Sequence, residues 1–131
     1  MGESMESVKP VVKNYLEVKE EKLSEDFGTG AYIRWLLRDN DGAKTFFMRY
    51  FRIEKGGHIN HHFHPWEHEI FVLEGEGRVR IGSKVYRVSK GNFVFIPPNV
   101  DHEYWADTEM RFLCMIPSKP TAEKLDKPIE V

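Results

Sequence analysis

Cysteine is nearly missing from this chain. Cys114 is the only one, so no internal disulfide can staple the fold, and its place in the apolar run MRFLCMIP reads as a small buried hydrophobe in a reducing compartment. Long apolar runs are missing too. Nothing approaches the roughly 18 to 20 residues of a membrane span, and the opening MGESMESVKP has no apolar segment of the signal-peptide kind. Together these absences give the expectation of a soluble, cytoplasmic protein with no membrane partner. There is no surplus of either charge: 19 basic residues stand against 21 acidic ones, for a net charge of −2, interleaved along the chain. Such a balance provides no basic face for nucleic acid or an anionic bilayer, so no nucleic-acid partner is expected. At 131 residues there is material for one core but not for separate catalytic and binding domains.

What the chain has in quantity is short stretches rich in β-branched and aromatic residues. AYIRWLL, TFFMRYFRI, HEIFVL, RVRI, KVYRV, NFVFIP, HEYWA and MRFLCMIP are strand-like in length and composition. Between them stand DNDG, EKGG, EGEG, IGSK, SKGN and PPN, which supply the Gly, Asn and Pro that turns need. The pattern predicts an all-β jelly roll or small barrel over 31–117, with Gly82-Ser83 as the loop of a tight hairpin. Residues 1–30 alternate loosely and read as an N-terminal arm or edge strand. Residues 118–131 read as a C-terminal surface tail holding at most one helical turn, at TAEKL.

The second abundance is histidine, with five of the six lying between positions 58 and 68. On a strand, His62 and His64 would share a face with Cα atoms roughly 6.6 Å apart, close enough to converge on one ion. Pro65 then bends or ends the strand, and His68 heads the next one, with Ile70 and Val72 on its face. His102, after the turn PPN and sharing a face with Tyr104, is the natural fourth ligand. His61 points away from His62, and His58 sits among turn residues, so both are read as bystanders. Four neutral imidazoles suit a borderline first-row cation and leave its charge uncompensated, so such an ion seeks an anionic ligand.

In this arrangement the chain resembles the cupin superfamily. The first cupin motif runs Gly, five residues, H-x-H, three or four residues, Glu, six residues, Gly; Gly56, His62, His64 and Gly75 fit it, and His68 falls in the Glu slot. Glu69 leaves one residue too few before Gly75 and is expected to face the other way. The second motif is met by Gly91, Pro97 and His102, with Asn99 where the pattern has a turn glycine, a swap that positive φ tolerates, and Ala106 in the final Asn position.

The resemblance covers residues 30 to 117. It implies a double-stranded β-helix barrel, one divalent first-row metal per chain (Mn, Fe, Zn, Ni or Cu) held by His62, His64, His68 and His102, and a small-molecule ligand or substrate. A six-coordinate ion on four histidines keeps two positions for a bidentate oxygen ligand such as a dicarboxylate, enediol or β-dicarbonyl.

The activity expected first is a metal-dependent dioxygenase acting on an oxygen-rich organic molecule. The alternatives are a non-enzymatic ligand sensor or metal-stabilised binding module, and, by fold analogy only, a sugar or sugar-phosphate isomerase or epimerase. Tyr104 is the candidate hydrogen-bond donor to substrate. Met48, Tyr50, Ile70 and Val72 are the candidate pocket walls, and Trp66 and Trp105 are candidates for the pocket mouth or a subunit contact. Arg49, Arg52 and Arg111 cannot be placed from sequence. Homodimerisation through an exposed sheet and the N-terminal arm is the assembly the resemblance implies.

Overall fold

The computed structural model describes residues 8–118, which carry nine strands and two single-turn 3-10 helices. The strands are β1 Glu21–Lys22, β2 Gly28–Leu37, β3 Phe46–His62, β4 His68–Glu74, β5 Glu76–Ile81, β6 Lys84–Ser89, β7 Phe93–Ile96, β8 His102–Ala106 and β9 Met110–Pro117. Every pairing among them is antiparallel, within one curled sheet. The expected all-β barrel class is what the chain adopts. TAEKL lies outside the described residues. Within the described residues no helix is long and apolar enough to cross a membrane.

The spine of the architecture is β3. Along one edge it pairs with β2, from Leu37↔Met48 to Gly28↔Ile59. Along the other edge its first half pairs with β9, from Phe46↔Pro117 to Ile53↔Met110, and its second half pairs with β8, from His58↔Trp105 to His62↔His102. Two branches grow from this edge: β9, β4 and β7 in one, and β8, β5 and β6 in the other. The curl brings their inner faces together, and β6 and β7, consecutive in sequence, form the outer margins of these two branches.

EKGG at 54–57 reads as a turn between strands in sequence, but it lies inside β3. Ala31 pairs with Ile53 and Thr29 with His58, so the four residues 54–57 face only Gly30. The resulting bulge redirects β3 from the β9 branch to the β8 branch. Gly56 takes φ +79° at the bulge, a conformation that costs glycine little and other residues much. The other turn signals behave as read. Ile81 pairs with Lys84 across Gly82-Ser83, Asp39–Asp41 form a 3-10 turn closed by Gly42, and Asn99 adopts φ 63°.

Alternation sets the core. On β3 the inward positions are Phe47, Arg49, Phe51 and Ile53; on β9 they are Met110, Phe112, Cys114 and Ile116, all buried. Phe112 stacks on both Phe51 and Tyr104, linking the branches through the interior. Ahead of β2, Tyr15 stacks on Tyr50 with ring centroids 4.6 Å apart. Glu20 accepts two hydrogen bonds from Arg52, each 2.9 Å, and these contacts fasten the segment from Tyr15 to Glu20 against the outer face.

Candidate metal centre

The two branches deliver the histidines to one end of the barrel. His62 closes β3 and pairs with His102, which opens β8; His68 opens β4 in the other branch. Between Ile59↔Tyr104 and His62↔His102 there are three steps on β3 against two on β8. That extra residue flips the alternation and turns His62 onto the inner side with Ile59. His64 is not on a strand, contrary to the reading of His62 and His64 as alternate strand residues. It sits in the 63–67 connection after β3 ends, with Phe63 turned 67% exposed. His64 turns inward for other reasons: its carbonyl accepts from the Asn99 N–H at 2.7 Å, and its ring stacks on buried Trp66 at 4.0 Å and 3°. Trp66 therefore braces a histidine. On β4 the predicted alternation holds: His68, Ile70 and Val72 are buried and Glu69 is exposed.

The four residues singled out as ligands come together. One side-chain nitrogen from each of His62, His64, His68 and His102 lies within 4.8 Å of the other three. Opposite ligands of a metal bound at about 2.1 Å would stand about 4.2 Å apart, so the group needs only a small contraction to close on an ion. His64, His68 and His102 are buried and His62 is partly so.

Three rings are oriented by backbone. The Nδ1 of His62 faces the Asn60 carbonyl at 2.8 Å, that of His64 the Trp66 carbonyl at 2.9 Å, and that of His102 the Val100 carbonyl at 2.8 Å. A carbonyl only accepts, so each Nδ1 carries the hydrogen and each Nε2 turns its lone pair inward. The Nε2 atoms of His62 and His102 are buried with no hydrogen-bond partner among the described residues. A buried unpaired acceptor costs about 1–3 kcal/mol, and a cation satisfies both at once. Burial holds all four rings neutral. It pushes His64 down to about 3 and His102 down to about 4, with repulsion between the rings adding to it. His62 is lowered, and His68 well below the usual histidine range, by the same burial, with Arg49 adding to both. The donor set fits a divalent first-row transition ion.

His68 is held differently from the other three. Its Nδ1 lies 2.9 Å from Cys114 Sγ and 3.2 Å from Arg49 Nη2, and Nη2 also donates to Cys114 Sγ at 3.0 Å. Arg49 is fully buried, with its guanidinium 5.0 Å from the Phe51 ring centroid. Sequence reasoning left Arg49 unplaced and took Cys114 for a plain core residue. The signal for Arg49 was present, since it alternates with Phe47, Phe51 and Ile53 on the inner face.

Met48 and Tyr50 do not line the site. They alternate with the inward residues of β3 and so face outward, and Tyr50 is buried beneath Tyr15 instead. Ile70, Val72 and Tyr104 do line the interior. With Val79, Val88, Val94, Met110 and Phe112 they enclose a cavity of about 10 Å³, room for about one water. Tyr104 is buried, its ring edge-on to His102 at 5.8 Å. Val79, Val88 and Val94 also line a groove of about 610 Å³ between the margins β6 and β7, together with Ile81, Tyr86, Phe93 and Phe95. Sequence reasoning did not find this groove, because it arises from the meeting of two free edges. His58 pairs with Glu103 and stacks on Trp105, and His61 faces Asp101, so both stand outside the group. Arg52 and Arg111 belong to outer-face ion pairs with Glu20 and Glu109.

Comparison with known proteins supports what the topology suggests. The chain is similar to the polyketide cyclase RemF from Streptomyces resistomycificus, at 30% identity and a TM-score of 0.80, over 85% of this chain and 81% of that one. It is similar to a cupin-2 domain protein from Rhodospirillum rubrum, at 26% identity and a TM-score of 0.72, over 92% and 80%. A predicted oxalate decarboxylase from Thermotoga maritima shares the fold at 21% identity and a TM-score of 0.74, over 83% and 100%. No curated protein matches the chain. The cupin domain pattern matches residues 49–116, from buried Arg49 to the last inward residue of β9, and with the histidine group at the mouth of the curled sheet this chain belongs to the cupin domain family.

Proposed function

We propose that the protein is a metal-dependent enzyme acting on a small, oxygen-rich organic molecule that meets the ion through two oxygens. The observation that carries this reading is the donor set. Four neutral nitrogens gather at one point, three with their lone pairs pre-set inward by backbone carbonyls, and among the described residues no carboxylate belongs to the group. When bound, such an ion supplies Lewis-acid polarisation of a coordinated oxygen, and an anionic or enolisable substrate balances its charge. His62, His64, His68 and His102 would hold it. The groove between β6 and β7 is our candidate approach for substrate, because its Ile81 pairs with His102, and its lining of Val79, Val88, Phe93 and Phe95 favours a molecule with an apolar body.

Dioxygenation of a β-dicarbonyl or flavonol is the first reaction to test. The similarity to a polyketide cyclase favours a second reading, in which the same chelated dicarbonyl closes a ring without oxygen. One experiment separates them. The metal-loaded chain is incubated with poly-β-carbonyl and flavonol substrates, with and without air, and oxygen uptake and product mass are followed. Dioxygenation consumes oxygen and adds two oxygen atoms to product, whereas cyclisation proceeds anaerobically with loss of water or no change in mass. Metal content of His62→Ala, His64→Ala and His102→Ala tests the premise: each is expected to lose most bound metal, and full occupancy in all three sinks the proposal.

A further inference from the structure

Which ring nitrogen of each histidine carries the hydrogen decides whether that histidine can bind a metal. For three of the four, a backbone carbonyl settles the matter. Among the described residues, His68 Nδ1 meets side chains and no carbonyl. This outer nitrogen meets two side chains, Arg49 Nη2 at 3.2 Å and Cys114 Sγ at 2.9 Å, whose thiol can donate or accept weakly. A guanidinium only donates. If Arg49 engages Nδ1, that atom accepts and the hydrogen sits on Nε2. His68 then presents an N–H to the site, aimed at His64 Nε2 at 2.8 Å, where His64 is already fixed as an acceptor by the Trp66 carbonyl. If Cys114 accepts from Nδ1 instead, the hydrogen stays outside and Nε2 is free to coordinate. Sulfur is a weaker acceptor than a carbonyl oxygen, so the hydrogen is held less firmly on the outer side of His68 than on its three neighbours.

We infer that Cys114 and Arg49 are positioning residues with opposed effects on His68: Cys114 makes it a ligand, and Arg49 makes it a hydrogen-bond donor to whatever occupies the centre. His68 is thus the adjustable member of the group, and Cys114 has a task beyond filling the core. This rests on the metal reading above, and the test separates the two.

Zinc is titrated into the full chain, and imidazole 1H–15N spectra report which nitrogen of each histidine is protonated. The unsubstituted chain is expected to bind one zinc with all four Nδ1 atoms protonated. In Cys114→Ala, His68 is expected to carry its hydrogen on Nε2, and zinc affinity to fall about 10–100-fold, the usual loss when a ligand's outer partner is removed. Cys114→Ser retains an acceptor and should keep both the affinity and the outer protonation. Adding Arg49→Met to Cys114→Ala removes the opposing donor and should return the hydrogen to Nδ1. Ile116→Ala, a core truncation on the same strand, controls for lost packing and should leave the His68 signal unchanged. Zinc binding with an unchanged His68 spectrum in Cys114→Ala overturns this inference alone. Absence of zinc uptake by the unsubstituted chain overturns the metal reading and this one with it.

Discussion

Lowering pH in the presence of a chelator should unfold this protein through its histidines. His64 and His102 titrate near 6.5 in an unfolded chain and are pushed to about 3 and about 4 in the folded one, chiefly by burial. Between pH 6.5 and 4.5 the unfolded chain therefore binds more protons than the folded chain, and stability falls as pH falls. Each group contributes a slope of about 1.4 kcal/mol per pH unit, so the pair removes about 5 kcal/mol across this window. That is a large share of the ~5–15 kcal/mol typical of a domain, before His62 and His68 add their shifts in the same direction. The paired carboxylates of Glu20, Asp101, Glu103 and Glu109 have lowered pKa values and lose their contribution at lower pH, while Glu67, raised by burial and the neighbouring Glu69, opposes the histidines in this window. Urea unfolding of the chelator-treated chain, followed by tryptophan fluorescence at half-unit pH steps, measures the slope. His102→Gln should flatten it by about one group's worth, and saturating zinc should move the acid transition to lower pH. A free energy that changes by less than about 1 kcal/mol over this window would refute the burial argument for the site.

Other outcomes follow from packing. A Cβ on Gly77 would run into the Trp105 carbonyl and approach the Met110 sulfur at 2.9 Å; Gly77→Ala should cost about 2 kcal/mol or more in chemical denaturation, and a neutral result would mean that β5 and β8 can separate freely. Val88→Trp narrows the groove between the margins; KM should rise several-fold, by about 1 kcal/mol or more in binding, with metal content unchanged. His68→Glu should retain metal, because a carboxylate fits the slot, and should change the spectrum of bound cobalt; loss of metal would argue that the Arg49 and Cys114 environment is specific for imidazole.

The class of fold was legible because strand period, turn chemistry and the two histidine motifs agreed. The hairpin at Gly82-Ser83 and the positive φ of Asn99 are local properties, and local sequence carries them. What could not be read was where alternation breaks. EKGG has the composition of a turn, and only pairing with both β8 and β9 shows that it is a bulge within a strand. Ile53 and Ile59, an even six residues apart, are both buried, so the inward side of β3 changes only at the second bulge, three residues on at His62. That explains why Met48 and Tyr50 were misassigned as pocket walls while Ile70 and Val72, on an unbroken strand, fell in the interior. The four histidines were legible from spacing, though the reason given for His64 was wrong: a stacked Trp66 and the Asn99 N–H aim it, not strand alternation. Arg49 cannot be placed from composition because arginine is rarely fully buried, although Phe47, Phe51 and Ile53 at alternate positions mark an inward face.

The double pairing of β3 also bears on the order of assembly. Its first half waits for β9, at the far end of the domain, and its second half for β8; such distant partners raise contact order and slow folding. His62 and His68 lie at the middle of the chain, and His102, more than thirty residues later, reaches them only when β8 docks. An ion offered to the nascent chain finds at most part of its ligand set, so complete metal capture marks the end of folding and does not start it. Uptake during refolding should therefore lag behind collapse, and bound metal reports chains whose last strands are in place.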